Sequence, residues 1–230
     1  MIPAYNEALN IIDVIESLHN RNADWDILVI NDESHDATGK LARSSSLANV
    51  IDLPFNLGIG GCIQTGFKYA AKHGYDLAVQ FDGDGQHLAG EIDKITGVIL
   101  SGDVDVCIGS RFYENHSGYR SSRSRRFGIK IFGLLTRILI RQKITDCTSG
   151  FRAYNKEAIS FLSENYPVDY PEPEAIILLG RNNFRIREVL TEMQDRRWGR
   201  STITFINSPY YMIKVMLGMV MTALRQKVRR

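Results

Sequence analysis

Asp82-Gly83-Asp84-Gly85-Gln86-His87 follows directly on Leu77-Ala78-Val79-Gln80-Phe81, and the junction of these two stretches decides how the chain is read. Residues 77–81, mostly apolar and bounded by polar residues, have the length and composition of a buried strand. Two carboxylates, two residues apart and loosened by glycines, therefore emerge at a strand's C-terminal end. In open α/β sheets that edge is where ligands sit. Carboxylates followed by an amide oxygen make a hard-oxygen site suited to Mg²⁺ or Mn²⁺ shared with phosphates. Taken alone, the stretch reads as well as a solvated Asp-Gly turn.

The same arrangement recurs on either side. The apolar run Ile27 to Ile30 ends in Asn31-Asp32-Glu33-Ser34-His35-Asp36, where Asp32 or Asp36 is also a candidate helix cap. Val104 to Ile108 ends in Gly109-Ser110-Arg111, so Arg111 projects from the same edge, to meet a phosphate or to pair with a carboxylate. Near the start, Asn6 is a candidate cap for a helix carrying Leu9, Ile12, Ile15 and Leu18. Val50 to Leu53 is a further short strand, followed by Asn56-Leu57-Gly58-Ile59-Gly60-Gly61 and a helix to about Lys72. A dinucleotide G-x-G-x-x-G would need glycine at 63, which is Ile63, and the Walker pattern is absent. With the helix of Ile92, Ile95, Val98 and Ile99, strand and helix alternate four times, which predicts a parallel, doubly wound α/β sheet.

The bulk numbers agree with this. A chain of 230 residues, 44% hydrophobic and 23% charged, fits one α/β domain with or without a C-terminal extension. The net charge of +2 is unevenly spread, with Arg and Lys crowding residues 120–143 and the C-terminus. Cys62, Cys107 and Cys147 form no C-x-x-C pair and read as reduced, buried thiols of a cytosolic protein. No signal peptide is visible, and no apolar run reaches the roughly 20 residues that span a bilayer.

Two segments are patterned for a surface. Phe127, Ile131, Leu134, Leu135, Ile138 and Leu139 form an apolar helical stripe, with Arg123, Arg126, Lys130, Arg137 and Arg141 on another face. Such a helix suits an anionic membrane surface or a phosphate-bearing lipid, or else packs on the sheet with its cations solvated. Tyr210 to Leu224 is nearly all apolar, broken only by Lys214, Gly218 and Thr222 and followed by Arg225, Lys227, Arg229 and Arg230. That helix is expected against the cytoplasmic membrane face or on a membrane partner, with homo-oligomer packing as the alternative. Nucleic-acid binding is disfavoured because the basic stripe is interleaved with apolar residues rather than exposed aromatics. Between these segments, Asp146-Cys147-Thr148-Ser149-Gly150-Phe151-Arg152 groups hydroxyls, a glycine, an arginine and a carboxylate, as a phosphate pocket with a nearby base would. Residues 169–174 break the chain before a helix through Leu179; Phe184 to Met193 reads as one or two strands, and 196–201 as a basic loop.

Five blocks now stand in order: Pro3-Ala4-Tyr5-Asn6-Glu7, Asn31-Asp32 to Asp36, Asp82 to His87, Gly109-Ser110-Arg111 and Thr148-Ser149-Gly150-Phe151-Arg152. Together they resemble the inverting family-2 glycosyltransferases of the GT-A fold, particularly the dolichyl- or polyprenyl-phosphate sugar synthases, over roughly residues 1–200. The resemblance implies a mostly parallel α/β catalytic domain over 1–202 and an amphipathic membrane- or partner-associated helix over 203–230. It implies that Pro3, Ala4, Tyr5 and Glu7 line a nucleotide-base pocket and that Asp32 holds the base or ribose. Asp82 would contact the nucleotide-sugar, Asp84 and Gln86 would ligate Mg²⁺ or Mn²⁺ on the diphosphate, and Arg111, Ser149 and Arg152 would bind phosphates. Two departures stand out. Asn31-Asp32-Glu33-Ser34 replaces the usual Asp-Asp-Gly-Ser, and only Met1 and Ile2 stand where the family's first strand runs several apolar residues before the proline.

The expected reaction is a single in-line displacement at the anomeric carbon, with the metal and arginines stabilising the departing diphosphate. A polyprenyl-phosphate acceptor is already anionic and needs no base; a sugar hydroxyl would need one, for which Asp146 is the candidate. UDP-glucose is the first donor expected, ahead of UDP-N-acetyl sugars and dTDP-rhamnose. The expected partners are that donor, a polyprenyl-phosphate or lipid-linked acceptor, the membrane surface and a small membrane protein. The rivals are an enzyme extending a lipid-linked saccharide and a non-catalytic nucleotide-sugar-binding scaffold.

Overall fold

The computed structural model describes residues 1–111, 123–194 and 209–227, with side chains except at 123–127, 129, 130 and 209. The side chains of Arg123, Arg126, Phe127 and Lys130, the loop 196–201 and Arg229-Arg230 thus lie outside the described residues.

The first half is a parallel sheet in the order β1 (Ile2–Ala4), β2 (Leu28–Asn31), β3 (Asn49–Asp52), with α1 (Ile11–Arg21) and α2 (Thr38–Ser44) as crossovers. β2 is buried along its whole length, as expected of a strand covered on both faces. α1 buries Ile11, Val14, Ile15 and Leu18 at helical spacing, against a core that includes Ile2, Phe81, Cys107 and Phe151. Its N-cap is Asn10 and not Asn6. Asn6 has φ 55°, outside the extended geometry of a cap, and its side-chain carbonyl accepts instead from the His35 N–H at 2.9 Å.

α3 (Gly58–Lys72) leads to β4 (Leu77–Gln80), the edge strand of a second sheet ordered β4-β6-β5-β7. Here β5 (Val106–Ser110) is parallel to β7 (Ile186–Leu190), whereas β6 (Arg152–Asn155) runs antiparallel to both β4 and β5. In this sheet two of the three pairings are therefore antiparallel, because β6 runs against the other three strands; the alternation of strands and helices up to Arg111 carried no sign of β6. Met1 links the two sheets: its ammonium donates to the Val79 carbonyl at 2.8 Å, and the Phe81 N–H donates to the Met1 carbonyl at 3.0 Å.

α4 (Ile92–Leu100) covers this junction; α5 (Arg123–Ile140), α6 (Lys156–Asn165), α7 (Pro171–Arg181) and α8 (Pro209–Leu224) complete the fold. α8 buries Val215, Met219 and Ala223 in a core shared with Phe132 and Ile140 of α5 and Ile176 and Ile177 of α7. Its polar positions divide. Lys214 is exposed, but Thr222 is buried and donates to Glu174 Oε2 at 2.8 Å, and a Cβ on Gly218 would meet Glu174 and Tyr170 at 3.1 Å. Half of the polar stripe is thus the seam with α7. Tyr210, Ile213, Leu217, Met221 and Leu224 point outward, as do Leu134 and Ile138 of α5. α8 is apolar on both its packed and its open sides rather than cleanly amphipathic. Among the described residues no helix is long and apolar enough to cross a membrane.

Candidate active site

The strand ends converge on a cleft of about 620 Å³. One wall is Pro3, Ala4, Tyr5, Glu7 and Asp32 at the ends of β1 and β2, with Asn56, Gly58 and Ile59 at the start of α3. Asp82-Gly83-Asp84 forms the floor, because Gly83 lets the loop approach β1: a Cβ there would lie 3.1 Å from the Pro3 carbonyl. Asp169, Tyr170, Pro171 and Glu172 at the start of α7 and Tyr211 of α8 form the opposite wall.

Asp82 is held by His87, whose Nε2 lies 3.0 Å from its Oδ2. The His87 ring is itself buried and stacked on Phe151, with centroids 4.9 Å apart. Burial opposes ionisation of Asp82, but the His87 hydrogen bond and the charges of His87, Arg111 and Arg152 hold its carboxyl below the usual range. Gly150 supplies the room: a Cβ there would sit 3.0 Å from both Asp82 oxygens. Asp84 Oδ1 accepts from the Gln86 N–H at 3.0 Å. The loop is pinned from outside by Gln194, whose N–H donates to the Gln86 carbonyl at 3.0 Å and whose amide donates to the Gly85 carbonyl at 2.7 Å. Gln86 is half-buried on this loop and is not among the cleft-lining residues.

Among the described residues no group of three or more His, Cys, Asp or Glu side chains stands ready to hold a metal alone. The carboxylates of Asp82 and Asp84 at one end of an open cleft fit a hard divalent ion that takes the rest of its shell from phosphate oxygens and water.

The first wall is built from backbone bonds as much as from side chains. Asp32 is buried, and its Oδ1 accepts from the Leu57 N–H at 2.7 Å, tying the end of β2 to the start of α3. Asp36 accepts from the N–H of Thr38 at 2.9 Å and from that of Ala8 at 3.1 Å. The Glu7 N–H donates to Thr38 Oγ1 at 2.8 Å, and the Glu7 carboxylate accepts from Asn10 at 2.8 Å. The departure at residues 31–34 has a local explanation at each changed position. Asn31 donates to Asp52 at 2.8 Å, and Glu33 has φ 55°, the left-handed backbone for which glycine is the easier residue. Its side chain accepts from the Asn56 N–H at 2.9 Å.

The second group of expected residues, Arg111, Asp146, Ser149 and Arg152, lies beneath the cleft and not in its lining. Asp146 is fully buried and takes both prongs of Arg111, Nε to Oδ2 at 2.7 Å and Nη2 to Oδ1 at 2.8 Å; a carboxylate so engaged is not a free base. Glu188 fixes it from behind, accepting from the Asp146 N–H at 2.6 Å. Ser149 is buried and donates to the Gly109 carbonyl at 2.7 Å. Arg152 is wholly buried and donates to the carbonyls of Ser149, Cys147 and Glu172 at 2.7, 2.9 and 3.0 Å. The charges of Arg111 and Arg152 add to that of His87 in holding the Asp82 carboxyl below its usual range. The three cysteines are free and buried, as expected, and burial pushes Cys107 and Cys147 up to about 12.

Glu172, Tyr170 and Tyr211 were not expected in the site. Their only sequence signal was the pair of prolines flanking Glu172, which starts α7 and aims its first turn at the cleft.

The profile of glycosyl transferase family 2 matches residues 1–162. The chain belongs to glycosyl transferase family 2. This glycosyltransferase is 32% identical to a UDP-N-acetylglucosamine–dolichyl-phosphate N-acetylglucosaminyltransferase of Methanococcus voltae, over 82% of each chain. It is 29% identical to the polyprenol monophosphomannose synthase of Mycolicibacterium smegmatis, over 94% of this chain and 84% of that one. Its fold matches a crystal structure of glucosyl-3-phosphoglycerate synthase from Mycobacterium tuberculosis in complex with Mn²⁺, UDP-glucose and phosphoglyceric acid, with a TM-score of 0.71 and 18% identity, covering 98% of this chain and 79% of that one. The GT-A-like architecture is thus confirmed.

Proposed function

We propose that this glycosyltransferase moves a hexosyl group from a nucleotide-sugar to the phosphate of a polyprenyl lipid, with inversion, at the cytoplasmic face of a membrane. The observation that carries this reading is the shared wall. Tyr211 lines the same cleft as Asp82 and Asp84, and it belongs to α8, the helix that leaves Ile213, Leu217 and Met221 exposed. The names of the two relatives above, one a dolichyl-phosphate and one a polyprenol-phosphate enzyme, support the same acceptor class.

In this reading Pro3, Ala4, Tyr5, Glu7 and Asp32 form the nucleotide side of the cleft, and Asp82, kept ionised by His87, faces the sugar-diphosphate. Asp84, with Gln86 behind it on the loop, holds Mg²⁺ or Mn²⁺. The bound ion would neutralise charge on the departing diphosphate. The acceptor phosphate is already an anion, so no residue need remove a proton. UDP-glucose or a related UDP-sugar is the donor proposed first.

The test is transfer of radiolabel from a panel of UDP-, GDP- and dTDP-sugars into organic-extractable polyprenyl phosphate, with and without divalent metal. Metal-dependent label in the lipid phase supports the reading and names the donor. Label only in a lipid-linked saccharide, or nucleotide binding without turnover, would overturn it.

A further inference from the structure

Among the sheltered carboxylates of the cleft, Glu172 is held differently from the rest. Glu7, Asp32, Asp82 and Asp84 each accept a hydrogen bond from another residue. The half-buried Glu172 carboxylate accepts only from its own backbone N–H among the described residues, although Arg152 fixes its backbone by donating to its carbonyl at 3.0 Å. Behind it lies a layer of buried donors with no partner: Gln80 Nε2, Arg152 Nη1 and the Tyr166 hydroxyl. Gln80 Nε2 and the Asp82 carboxylate flank the same Gly150, and Arg152 and Tyr166 lie close enough to Glu172 and Asp82 for their charges to interact. The unpartnered side chains are 0%, 0% and 4% exposed.

We propose that Glu172 reads the transferred hexosyl group, its carboxylate accepting hydrogen bonds from hydroxyls of the donor's sugar. This rests on the nucleotide-sugar reading above and assigns its sugar end. Three carboxylates, Asp82, Asp84 and Glu172, repel a phosphate placed among them without a metal, whereas hydroxyls donate to carboxylates. A cleft carboxylate that takes its hydrogen bonds from substrate hydroxyls discriminates against a sugar lacking them.

The test is calorimetric binding of UDP against UDP-glucose and GDP against GDP-mannose, with Mn²⁺, to the full chain and to Glu172→Gln. Thermal melting checks that the isosteric variant is folded, and Glu172→Asp serves as a second variant. The expected result is nucleoside diphosphate affinity within about twofold of wild type and nucleotide-sugar affinity weakened about tenfold or more, as for loss of a hydrogen bond to a charged group. Equal weakening of both ligands, or of neither, would overturn the assignment. So would an unchanged sugar increment with collapsed turnover, which would instead make Glu172 a group acting on the acceptor. If the wild type binds none of the four ligands, nor dTDP and dTDP-rhamnose, the nucleotide-sugar reading itself fails, and this inference falls with it.

Discussion

Arg111 and Asp146 form a two-pronged ion pair in which both side chains are buried, and it joins the end of β5 to the segment before β6. Removing one partner strands the other charge. Asp146→Ala should therefore destabilise the protein by about 3–5 kcal/mol in urea unfolding, with transfer activity falling only as the folded fraction falls. Activity abolished at full native stability would return Asp146 to the chemistry.

The same pair has a pH signature. Burial alone would raise the Asp146 carboxyl, but Arg111 and the Thr148 hydroxyl outweigh it and hold it below the usual range. A depressed carboxyl contributes stability above its unfolded value of about 3.9 and loses it as pH falls through the folded value. Asp146→Asn should accordingly be less stable at neutral pH, with a shallower loss of stability below about pH 4 than the wild type. Parallel acid limbs in circular dichroism at fixed urea would contradict this.

Gly150→Ala tests the space around Asp82. The added methyl would lie 3.0 Å from both carboxylate oxygens and 3.2 Å from Gln80 Nε2, so Asp82 must move while the fold persists. Displacement of a substrate-facing group by roughly 1 Å can reduce turnover by roughly a hundredfold, and that loss should come without loss of the far-ultraviolet spectrum. Wild-type turnover would mean that Asp82 does not need its present position.

Chelation should abolish transfer and added Mn²⁺ or Mg²⁺ should restore it. Loss of an outer-shell partner alone costs a metal site about 10–100-fold, so Asp84→Asn should raise the metal concentration for half-maximal activity by at least that much. Full activity in excess EDTA would remove the metal from the proposal.

Ile213→Glu combined with Leu217→Glu places charge on the open side of α8, where both side chains are 60% exposed. Thermal stability should change little, since surface substitutions usually stay within about 0.5 kcal/mol. Co-sedimentation with phosphatidylglycerol vesicles should be lost. Undiminished binding would place the lipid contact elsewhere.

The parts of the site legible in the sequence were those set by strand ends. Asp82 and Asp32 each follow a short apolar run and reach the cleft because strands bring their C-terminal ends to one edge, whereas Pro3 was placed there by the resemblance alone. The segment from Asp146 to Arg152 reads in sequence as a ligand pocket, whereas in the fold its polar residues are buried, Asp146 against Arg111 and Ser149 and Arg152 against backbone carbonyls. β6 was hidden for the same reason: a four-residue strand that opens on a fully buried arginine shows neither alternation nor an apolar run. Glu172 was hidden because its place depends on how α7 packs beside α8, a tertiary relation with no local pattern.

The link from Thr222 to Glu174 bears on distance. Glu174 sits on the helix whose first turn carries Glu172, its Oε1 accepts from the Tyr170 N–H at 2.9 Å, and Tyr170 meets Tyr211 edge to face at 5.7 Å between centroids. The cleft wall and the outermost helix are therefore one joint, and the helix is only about 10 Å across. Whatever surface α8 rests on, the wall carrying Tyr170, Glu172 and Tyr211 is held to it as one piece.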